Sequence, residues 1–303
     1  MKKYIKIMRV DHWIKQLFIL PGFVCSLFLS DTSLNWKIFF NLLIALFTTS
    51  LIASANYVIN EYLDSNYDRV HPVKKTRPLV EENVKGSIIF IMWFILGTMG
   101  LLIGYFMLGR NYMLMELLLL VMGILYNVKP FRVKDIFLLD VLSESVNNAI
   151  RFMLGWFVLP TTMVVPISIV LGYWMGGAFL MAIKRYAEYR MIDNKKIASE
   201  YRKSFKFYNE KILLVSSFFY AMCSTFFIGI FLIKYKIELI LFIPFMVGLF
   251  CYYLYISFDK DSAVQKPEKL YKERGLMLYL MFLFILFIVL MNVRIPWLDI
   301  FTK

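Results

Sequence analysis

The chain has 303 residues, of which 60% are hydrophobic and 18% aromatic, and it carries a formal net charge of +13. Hydrophobicity at this level excludes an ordinary soluble domain and indicates a membrane protein with several spans. The basic charge does not call for nucleic acid as a partner, because membrane proteins collect Lys and Arg in their cytoplasmic loops. We therefore expect one all-α transmembrane domain over residues 1–303 and no nucleic-acid partner.

Nine apolar segments are long enough, or nearly so, to cross a bilayer, which takes about 20 residues each. The first is the weakest, because Lys15 and the Pro21-Gly22 pair interrupt it. Most of the 34 Lys and Arg residues lie at the N-terminus and in the loops after spans two, four, six and eight. This bias predicts a cytoplasmic N-terminus and an external C-terminus. The predicted spans are 13–30, 38–60, 87–109, 112–128, 136–159, 164–185, 212–233, 238–258 and 276–293.

The end of the second span carries the most informative pattern. Asn60, Asp64 and Asp68 recur at i, i+4 and i+8, so on an α-helix each lies about 40° round from the last and all share one face. Three oxygen ligands in a row suit a hard cation such as Mg²⁺, which usually bridges to substrate phosphates. The residues that follow are of the types that bind phosphate: Arg69, Lys74, Lys75 and Arg77. A solvated helix end would explain the cations alone, but the three spaced oxygen ligands favour a metal–diphosphate site.

The fifth span contains ionisable groups on one helical face. Such groups are costly inside a membrane and usually face the protein interior or a wet cavity. An internal Glu144–Arg151 pair that serves only packing is the alternative. We favour a polar cavity wall, with no role fixed for each member: Asp140, Glu144, Asn147 or Asn148, and Arg151.

Three smaller groups lie on the same predicted cytoplasmic side. Tyr126 with Lys129 ends span four, and Lys184-Arg185 with Glu188 ends span six. Each alone reads as an interface anchor, but together they can complete a phosphate-binding bowl around the acidic motif. His12-Trp13 with Lys15 predicts an interfacial anchor, or a further basic group over the site. His71, before Pro72, predicts a turn. The sequence contains no P-loop, no dinucleotide fingerprint and no CxxC motif.

These motifs resemble the UbiA superfamily of membrane prenyltransferases, whose first motif looks like Asn60-x-x-x-Asp64-x-x-x-Asp68. The resemblance implies an all-α fold of nine transmembrane helices and a Mg²⁺ ion that binds a diphosphate at a cytoplasmic cavity. A narrower pattern is similar to the branch that makes decaprenyl-phosphate 5-phosphoribose. Its parts are Asp68-Arg69-x-His71-Pro72-x-Lys74-x-x-Arg77-Pro78, Arg9-x-x-His12-Trp13-x-Lys15, Tyr126-x-x-Lys129, Arg151 with Gly155, and Lys184-Arg185-Tyr186-Ala187-Glu188. Glu61 stands where that branch usually has Asp, and its direction on the helix makes it at most a peripheral ligand.

One departure separates the branches of this family. Aromatic prenyltransferases carry a second Asp-rich motif after span six, where this chain has Lys184-Arg185. Cations there suit an extra phosphate better than a second Mg²⁺. The resemblance thus implies transfer of 5-phosphoribosyl from phosphoribosyl diphosphate to a polyprenyl phosphate, for cell-envelope polysaccharide precursors. It also implies a protein of the bacterial inner membrane with its active site on the cytoplasmic face. It implies metal ligands Asn60, Asp64 and Asp68, of which Asp64 and Asp68 are catalytic, and substrate-binding residues Lys15, Arg69, Lys74, Arg77, Tyr126, Lys129, Glu144, Arg151, Lys184, Arg185 and Glu188.

Two other functions stay open. Within the same superfamily, the donor would be a prenyl diphosphate and the acceptor an aromatic or other small molecule; the missing second Asp motif counts against this. In a different class, a transporter or channel would use the intramembrane charges to line a pathway. The predicted external loops carry few polar residues, so a route through the membrane is poorly supported.

Overall fold

A computed structural model of the chain describes residues 2–30, 32–69, 74–81, 84–192, 194–259, 262–265 and 267–298; the side chains of residues 2, 3, 74, 81 and 267–269 lie outside this description. Every regular element within these ranges is helical, which confirms the all-α prediction. The chain divides into two compact units, Met1–Val165 with Ile192–Tyr208 and Pro166–Met191 with Asn209–Lys303. The prediction of one domain over residues 1–303 stays a prediction.

The first unit contains eight α-helices, the last residue of a ninth and several 3-10 helices in its described part. Its core joins apolar side chains of the long helices, including Ile52, Leu119 and Ile150, which are almost fully buried. Helices α3 (Trp36–Asp68) and α5 (Gly86–Leu108) pack along each other, and α6 (Arg110–Asn127) and α7 (Leu139–Trp156) complete the group. The helices are α1 (Lys2–Ile7), α2 (Leu20–Leu29), α3 (Trp36–Asp68), α4 (Pro78–Glu81), α5 (Gly86–Leu108), α6 (Arg110–Asn127), α7 (Leu139–Trp156) and α9 (Lys195–Tyr201), with the last residue of α8 (Ile167–Ile192).

Helix α3 positions the acidic motif. It begins where the Asn35 side chain accepts a hydrogen bond from Ile38 N at 3.0 Å, as an N-cap residue does. Its 33 residues span about 50 Å, well beyond the roughly 30 Å of a bilayer core. The helix therefore continues past its apolar part, and its last turns carry Asn60 to Asp68 as the i, i+4, i+8 spacing predicts.

The first predicted span is divided into two kinds of helix. Residues Val10–Ile19 form a 3-10 helix, here called the 10–19 segment, and α2 follows directly from Leu20. The change coincides with Pro21, which lies in the first turn of α2, where a missing N–H costs no helical hydrogen bond. The interruption expected from Pro21-Gly22 is thus a change of helix type within one continuous rod.

Two glycines let this rod approach α7 at backbone distance. A Cβ built on Gly22 would collide with the carbonyl oxygen of Phe152, and one built on Gly155 would collide with that of Ile19. No larger residue fits either position without separating the two elements. The rod and α7 therefore touch directly, one glycine from each.

The second unit is also helical in its described part. Ser224 Oγ donates to Gly172 O at 2.9 Å and joins α10 to α8, and Tyr279 OH donates to Phe245 O at 2.8 Å and joins α12 to α11. Its helices are α8 up to Met191, α10 (Glu210–Tyr235), α11 (Ile243–Ser257) and α12 (Arg274–Asn292).

Each of the nine predicted spans coincides with a helical segment in the described ranges, and seven of these segments are long and apolar enough to cross a membrane by length and composition. The two that fall short, α6 and α7, carry ionisable groups in their interiors, such as Glu116 and Arg151. The count of nine spans and the orientation of the chain stay predictions.

Candidate active site

The three predicted metal ligands lie in the last turns of α3. The Asp64 side chain is 18% exposed and the Asp68 side chain 1% exposed. Asn60 Nδ2 donates to Asp64 Oδ2 at 3.3 Å, so the first two members of the motif are in direct contact.

Two cations from the loop after α6 bind the Asp64 carboxylate. Arg132 Nη2 donates to Asp64 Oδ1 at 2.8 Å, and Lys134 Nζ donates to the same oxygen at 2.5 Å. Both cations are buried. This loop thus places two positive charges on the central acid of the motif.

Arg132 is fixed by an unusual backbone conformation and by several partners. Its φ of 32° and ψ of 56° lie in the left-handed region, which is unfavourable for a residue with a Cβ and is often found at functional sites. Its guanidinium donates to Asn127 O at 3.2 Å and to Asp135 Oδ2 at 3.1 Å. It also lies 4.6 Å from the centre of the Tyr67 ring. The guanidinium is therefore held in place before any ligand binds.

Asn127, the last residue of α6, joins the acidic helix to the cationic loop. Its Oδ1 accepts hydrogen bonds from Asn60 Nδ2 and, at 2.7 Å, from Lys134 Nζ. Its Nδ2 donates to Gly123 O at 2.9 Å, which fixes the orientation of the amide. Burial lowers the pKa of Lys134 to about 8, although the neighbouring Asp64 carboxylate favours the charged form.

Asp68 has its own cation. The Arg77 guanidinium forms an ion pair with Asp68 Oδ2, so the predicted phosphate-binding Arg77 lies at the acidic motif. Arg69, at the end of α3, is exposed. The side chain of Lys74 and the whole of His71 and Pro72 lie outside the described residues.

Glu61 supports the site instead of facing it. It is buried, with Oε2 3.2 Å from the Arg9 guanidinium and Oε1 accepting from Leu79 N at 3.4 Å. It connects the segment before residue 10 to the short helix α4, which agrees with its expected peripheral direction.

The polar face of α7 contacts three different parts of the unit. Glu144 accepts a hydrogen bond from Tyr126 OH at 2.8 Å, and Arg202 Nη1 donates to the same hydroxyl at 3.2 Å. Asp140 is fully buried and accepts from Tyr208 OH at 2.7 Å and from Ser204 Oγ at 3.1 Å. Asp140 thus attaches the segment after α9 to α7, whereas Glu144 and Tyr126 are brought together as candidate site residues.

The remaining predicted residues of this unit lie in two places. Lys129 is exposed on the loop after α6. Lys15 Nζ lies 3.1 Å from His12 Nδ1, and the His12 ring packs edge-on against Tyr57 with centroids 5.2 Å apart. Arg151 reaches the same 10–19 segment through a different residue, Gln16.

In the second unit, Lys184, Arg185 and Glu188 lie on α8. Arg185 Nη1 is 3.5 Å from Glu188 Oε2, and both side chains are buried. Lys184 is half-buried on the same helix. Their predicted binding of substrate phosphate stays a prediction.

Arg132, Lys134, Asn127 and Gln16 are absent from the sequence prediction. The run Lys129-Pro-Phe-Arg132-Val-Lys134 shows three cations after span four, but nothing in it distinguishes the exposed one from the two that reach Asp64. An uncharged Gln16 or Asn127 carries no signal in a single sequence.

The donor chemistry of the motif fits a hard divalent cation. Asn60, Asp64 and Asp68 offer two carboxylates and one amide oxygen, the ligand types that Mg²⁺ prefers. Among the described residues no three His, Cys, Asp or Glu side chains converge as a metal site. The protein would thus supply a partial ligand set, which water and phosphate oxygens would complete, as is usual for Mg²⁺.

Comparison with known proteins identifies the family. The family model described as UbiA prenyltransferase family matches residues 18–286. The chain is 26% identical, over 219 residues, to decaprenyl-phosphate phosphoribosyltransferase of Mycobacterium tuberculosis, covering 69% of this chain and 67% of that protein. It is 25% identical over 212 residues to the protein of the same name from Mycolicibacterium smegmatis, covering 69% and 63%.

Solved structures show the same fold. A UbiA homologue from Archaeoglobus fulgidus bound to DMAPP and Mg²⁺ matches with a TM-score of 0.69 at 17% identity, over 96% of this chain and 100% of that one. The protein is therefore an integral membrane transferase, and its chain belongs to the UbiA prenyltransferase family.

Proposed function

We propose that this protein transfers 5-phosphoribosyl from phosphoribosyl diphosphate to a polyprenyl phosphate and releases diphosphate. The reaction would depend on Mg²⁺ and take place on the cytoplasmic face of the membrane, where the charge bias of the loops puts the end of α3. The named mycobacterial relatives support this choice of substrates.

The observation that carries the proposal is the match between acids and cations. Asp68 contacts Arg77 from the segment after α3, and Asp64 contacts Arg132 and Lys134 from the segment after α6. A metal bound by the acids would release these cations toward the oxygens of a diphosphate, for which Arg and Lys are the usual partners. The site therefore suits a metal–diphosphate pair better than a neutral ligand.

The reaction forms a bond between a lipid phosphate oxygen and C1 of the ribose, while the bond from C1 to the diphosphate oxygen breaks and its electron pair leaves with the diphosphate. Asn60, Asp64 and Asp68 would hold Mg²⁺, which, when bound, neutralises charge on the leaving group. Arg77, Arg132 and Lys134 would orient the diphosphate. Because the attacking oxygen is already anionic, the protein needs no strong base, and its contribution is positioning and electrostatics.

Other residues have supporting roles in this proposal. The Glu144 carboxylate, held by Tyr126, is an acceptor suited to a sugar hydroxyl. Arg69, Lys74, Lys129, Lys184 and Arg185 would add positive charge for the phosphates, with Glu188 orienting Arg185 through their ion pair.

A second candidate keeps the fold and changes the donor. Homologous structures hold DMAPP or GPP with Mg²⁺, so a prenyl diphosphate with an aromatic or other small acceptor is the alternative. The structural match to these proteins supports the fold. Their sequence identity of 17% leaves the donor to be tested.

The test compares the two donors on purified protein in detergent. With Mg²⁺, labelled phosphoribosyl diphosphate and a polyprenyl phosphate, we expect a labelled lipid, and we expect EDTA to abolish it. Matched reactions would contain a labelled prenyl diphosphate with an aromatic acceptor. Turnover of the prenyl donor alone would contradict the proposal.

A further inference from the structure

A buried hydrogen bond joins the 10–19 segment to α7. Arg151 Nε donates to Gln16 Oε1 at 2.8 Å, and Gln16 is 1% exposed. Because a guanidinium can only donate, this bond fixes the Gln16 amide with its oxygen toward Arg151 and its Nε2 away from it. That Nε2 is buried and has no hydrogen-bond partner among the residues the structure describes.

An orphaned buried donor costs free energy unless something binds it. Here the donor adjoins the Arg151 guanidinium, whose Nη1 donates to Asn147 O at 3.2 Å. The positive charge of Arg151 would attract a negatively charged acceptor bound at Gln16 Nε2. Asn147, one turn before Arg151 on α7, also has an unpartnered buried Oδ1. A 180° rotation of the Asn147 amide group exchanges its oxygen and nitrogen and places an NH₂ group at the position of Oδ1. Asn147 can therefore provide a third donor.

A lysine and a histidine lie next to this pair on the same segment. Lys15 precedes Gln16 in the chain, and its Nζ lies 3.1 Å from His12 Nδ1. The His12 ring packs against Tyr57, which is seven residues before Asp64 on α3 and therefore about 10 Å from it along the helix. These groups are thus distinct from the cations that contact Asp64 and Asp68.

The 10–19 segment exposes most of its apolar side chains, although Ile19 is fully buried. Ile14 is 44% exposed and Leu17 is 47% exposed, whereas the polar Gln16 is buried. This arrangement is the reverse of a helix in water and suits a segment in contact with lipid. A ligand that binds here and carries an apolar chain would keep that chain beside an apolar surface.

We propose that Gln16 and Arg151, with Lys15 and the Asn147 amide, form a subsite for a phosphate monoester, occupied by the headgroup of the acceptor lipid. The inference rests on the proposed function, whose donor diphosphate lies at Asp64 and Asp68. A displacement at C1 needs the attacking and leaving oxygens on opposite sides of that carbon, so the acceptor and donor phosphates need separate groups of cations. The 5-phosphate of the donor has the same chemistry, so the test must distinguish the two sources.

The sharpest variant is Gln16→Glu. It preserves the shape and the acceptor for Arg151, and it replaces the orphaned NH₂ with a negative charge. If Gln16 served only packing, the variant would fold and act as the wild type does. Binding is measured in the absence of Mg²⁺ and donor. If Gln16 belongs to a phosphate subsite, we expect Gln16→Glu to weaken the binding of farnesyl phosphate about tenfold or more. The binding of farnesol, which lacks the phosphate, should not change. Equal weakening of both probes, or of neither, would overturn the proposal.

Steady-state kinetics separate the two phosphate sources. For Arg151→Gln, we expect the KM for polyprenyl phosphate to rise about tenfold, while the KM for phosphoribosyl diphosphate stays within twofold of the wild type. The control is Lys37→Gln, an exposed cation at the other end of α3. A rise confined to the KM of the donor would assign the subsite to the 5-phosphate and overturn the proposal.

Failure of the proposed function gives a different pattern. Selective binding of farnesyl phosphate that Gln16→Glu removes, without turnover of phosphoribosyl diphosphate by the wild type, would support the subsite and reject the donor. If the wild type turns over phosphoribosyl diphosphate and neither Gln16→Glu nor Arg151→Gln changes that turnover, the donor would be supported and the subsite rejected. Thermal unfolding in detergent confirms that each variant is folded before it is compared.

Discussion

Lys134 Nζ lies 2.5 Å from Asp64 Oδ1, so the central acid of the predicted metal-binding motif is hydrogen-bonded to a buried lysine. Arg132 contacts the same oxygen. A divalent cation that arrives alone must therefore displace two buried positive charges from Asp64. Lys134 would then lose its carboxylate partner, and Arg132 would keep only Asp135 among the described carboxylates. A cation that arrives with diphosphate supplies new partners for both.

We therefore expect Mg²⁺ and diphosphate to bind cooperatively. Mg²⁺ alone should bind weakly, and saturating diphosphate should tighten it about tenfold or more, because each ligand relieves the charge that the other leaves unpaired. Isothermal titration of Mg²⁺ with and without diphosphate, each corrected for the complex formed in solution, measures this coupling. Equal affinities in the two titrations would contradict it.

The variant Lys134→Met should shift the two affinities in opposite directions. The variant leaves Arg132 as the one described cation in contact with Asp64 Oδ1, so Mg²⁺ alone should bind more tightly. The diphosphate loses a partner and should bind more weakly, and each affinity should change by about tenfold. The control is Lys196→Met on the exposed surface of α9. A change of the same sign in both affinities would show that Lys134 acts only on folding.

The acids themselves should be indispensable. We expect Asp64→Asn and Asp68→Asn each to lower kcat/KM about 100-fold or more, because each keeps the side-chain shape and removes the charge that holds the metal. Labelled-lipid formation at several Mg²⁺ concentrations measures the effect. Glu200→Gln, at an exposed acid on α9, is the matched control, and near-normal activity of either site variant would exclude it as a metal ligand.

Arg132 allows backbone strain to be separated from side-chain chemistry. Both Arg132→Gly and Arg132→Ala remove the guanidinium and should lose most activity. Glycine adopts the left-handed conformation without a Cβ penalty, so the glycine variant should be about 1 kcal/mol more stable than the alanine variant. Thermal unfolding of the two in the same detergent measures the difference. Equal stability would mean that the loop relaxes in the alanine variant.

Glu61 should matter for stability and little for the metal. Replacement by Gln removes the anion beside the Arg9 guanidinium and should cost about 2 kcal/mol. We expect faster proteolysis of the first ten residues and a lower unfolding temperature. The Mg²⁺ concentration for half-maximal activity should stay the same, and an increase of tenfold would instead place Glu61 among the metal ligands.

Local periodicity was sufficient to predict the acidic face of α3, because residues four apart in one helix are neighbours whatever else the chain does. The same reasoning located Pro21-Gly22 as an interruption. It failed for Arg132 and Lys134, since their contact with Asp64 depends on how a loop returns across more than sixty residues of chain. Their neighbour Lys129 has the same charge and is exposed. Composition alone therefore cannot tell which of the three cations contact Asp64.

Asp140 lies in an environment different from the polar cavity wall that its spacing suggested. Its spacing from Glu144 placed it on a polar wall, whereas it is fully buried and binds Ser204 and Tyr208. A carboxylate inside an apolar helix signals a polar environment, but the sequence does not say whether that environment is a cavity or another segment of the protein. Gln16 was missed because an uncharged amide gives no such signal.

Gly22 and Gly155, where the rod formed by the 10–19 segment and α2 crosses α7, make the spacing of these elements independent of the surrounding lipid. Backbone contact at Gly22 and Gly155 has no flexible side chain between the two elements, so the spacing of Gln16 and Arg151 does not depend on side-chain repacking. Apolar residues on the outer surface of the rod can therefore vary, and bilayers of different composition can surround it, without altering that spacing. Replacement of either glycine by alanine would transmit its disturbance directly to this pair.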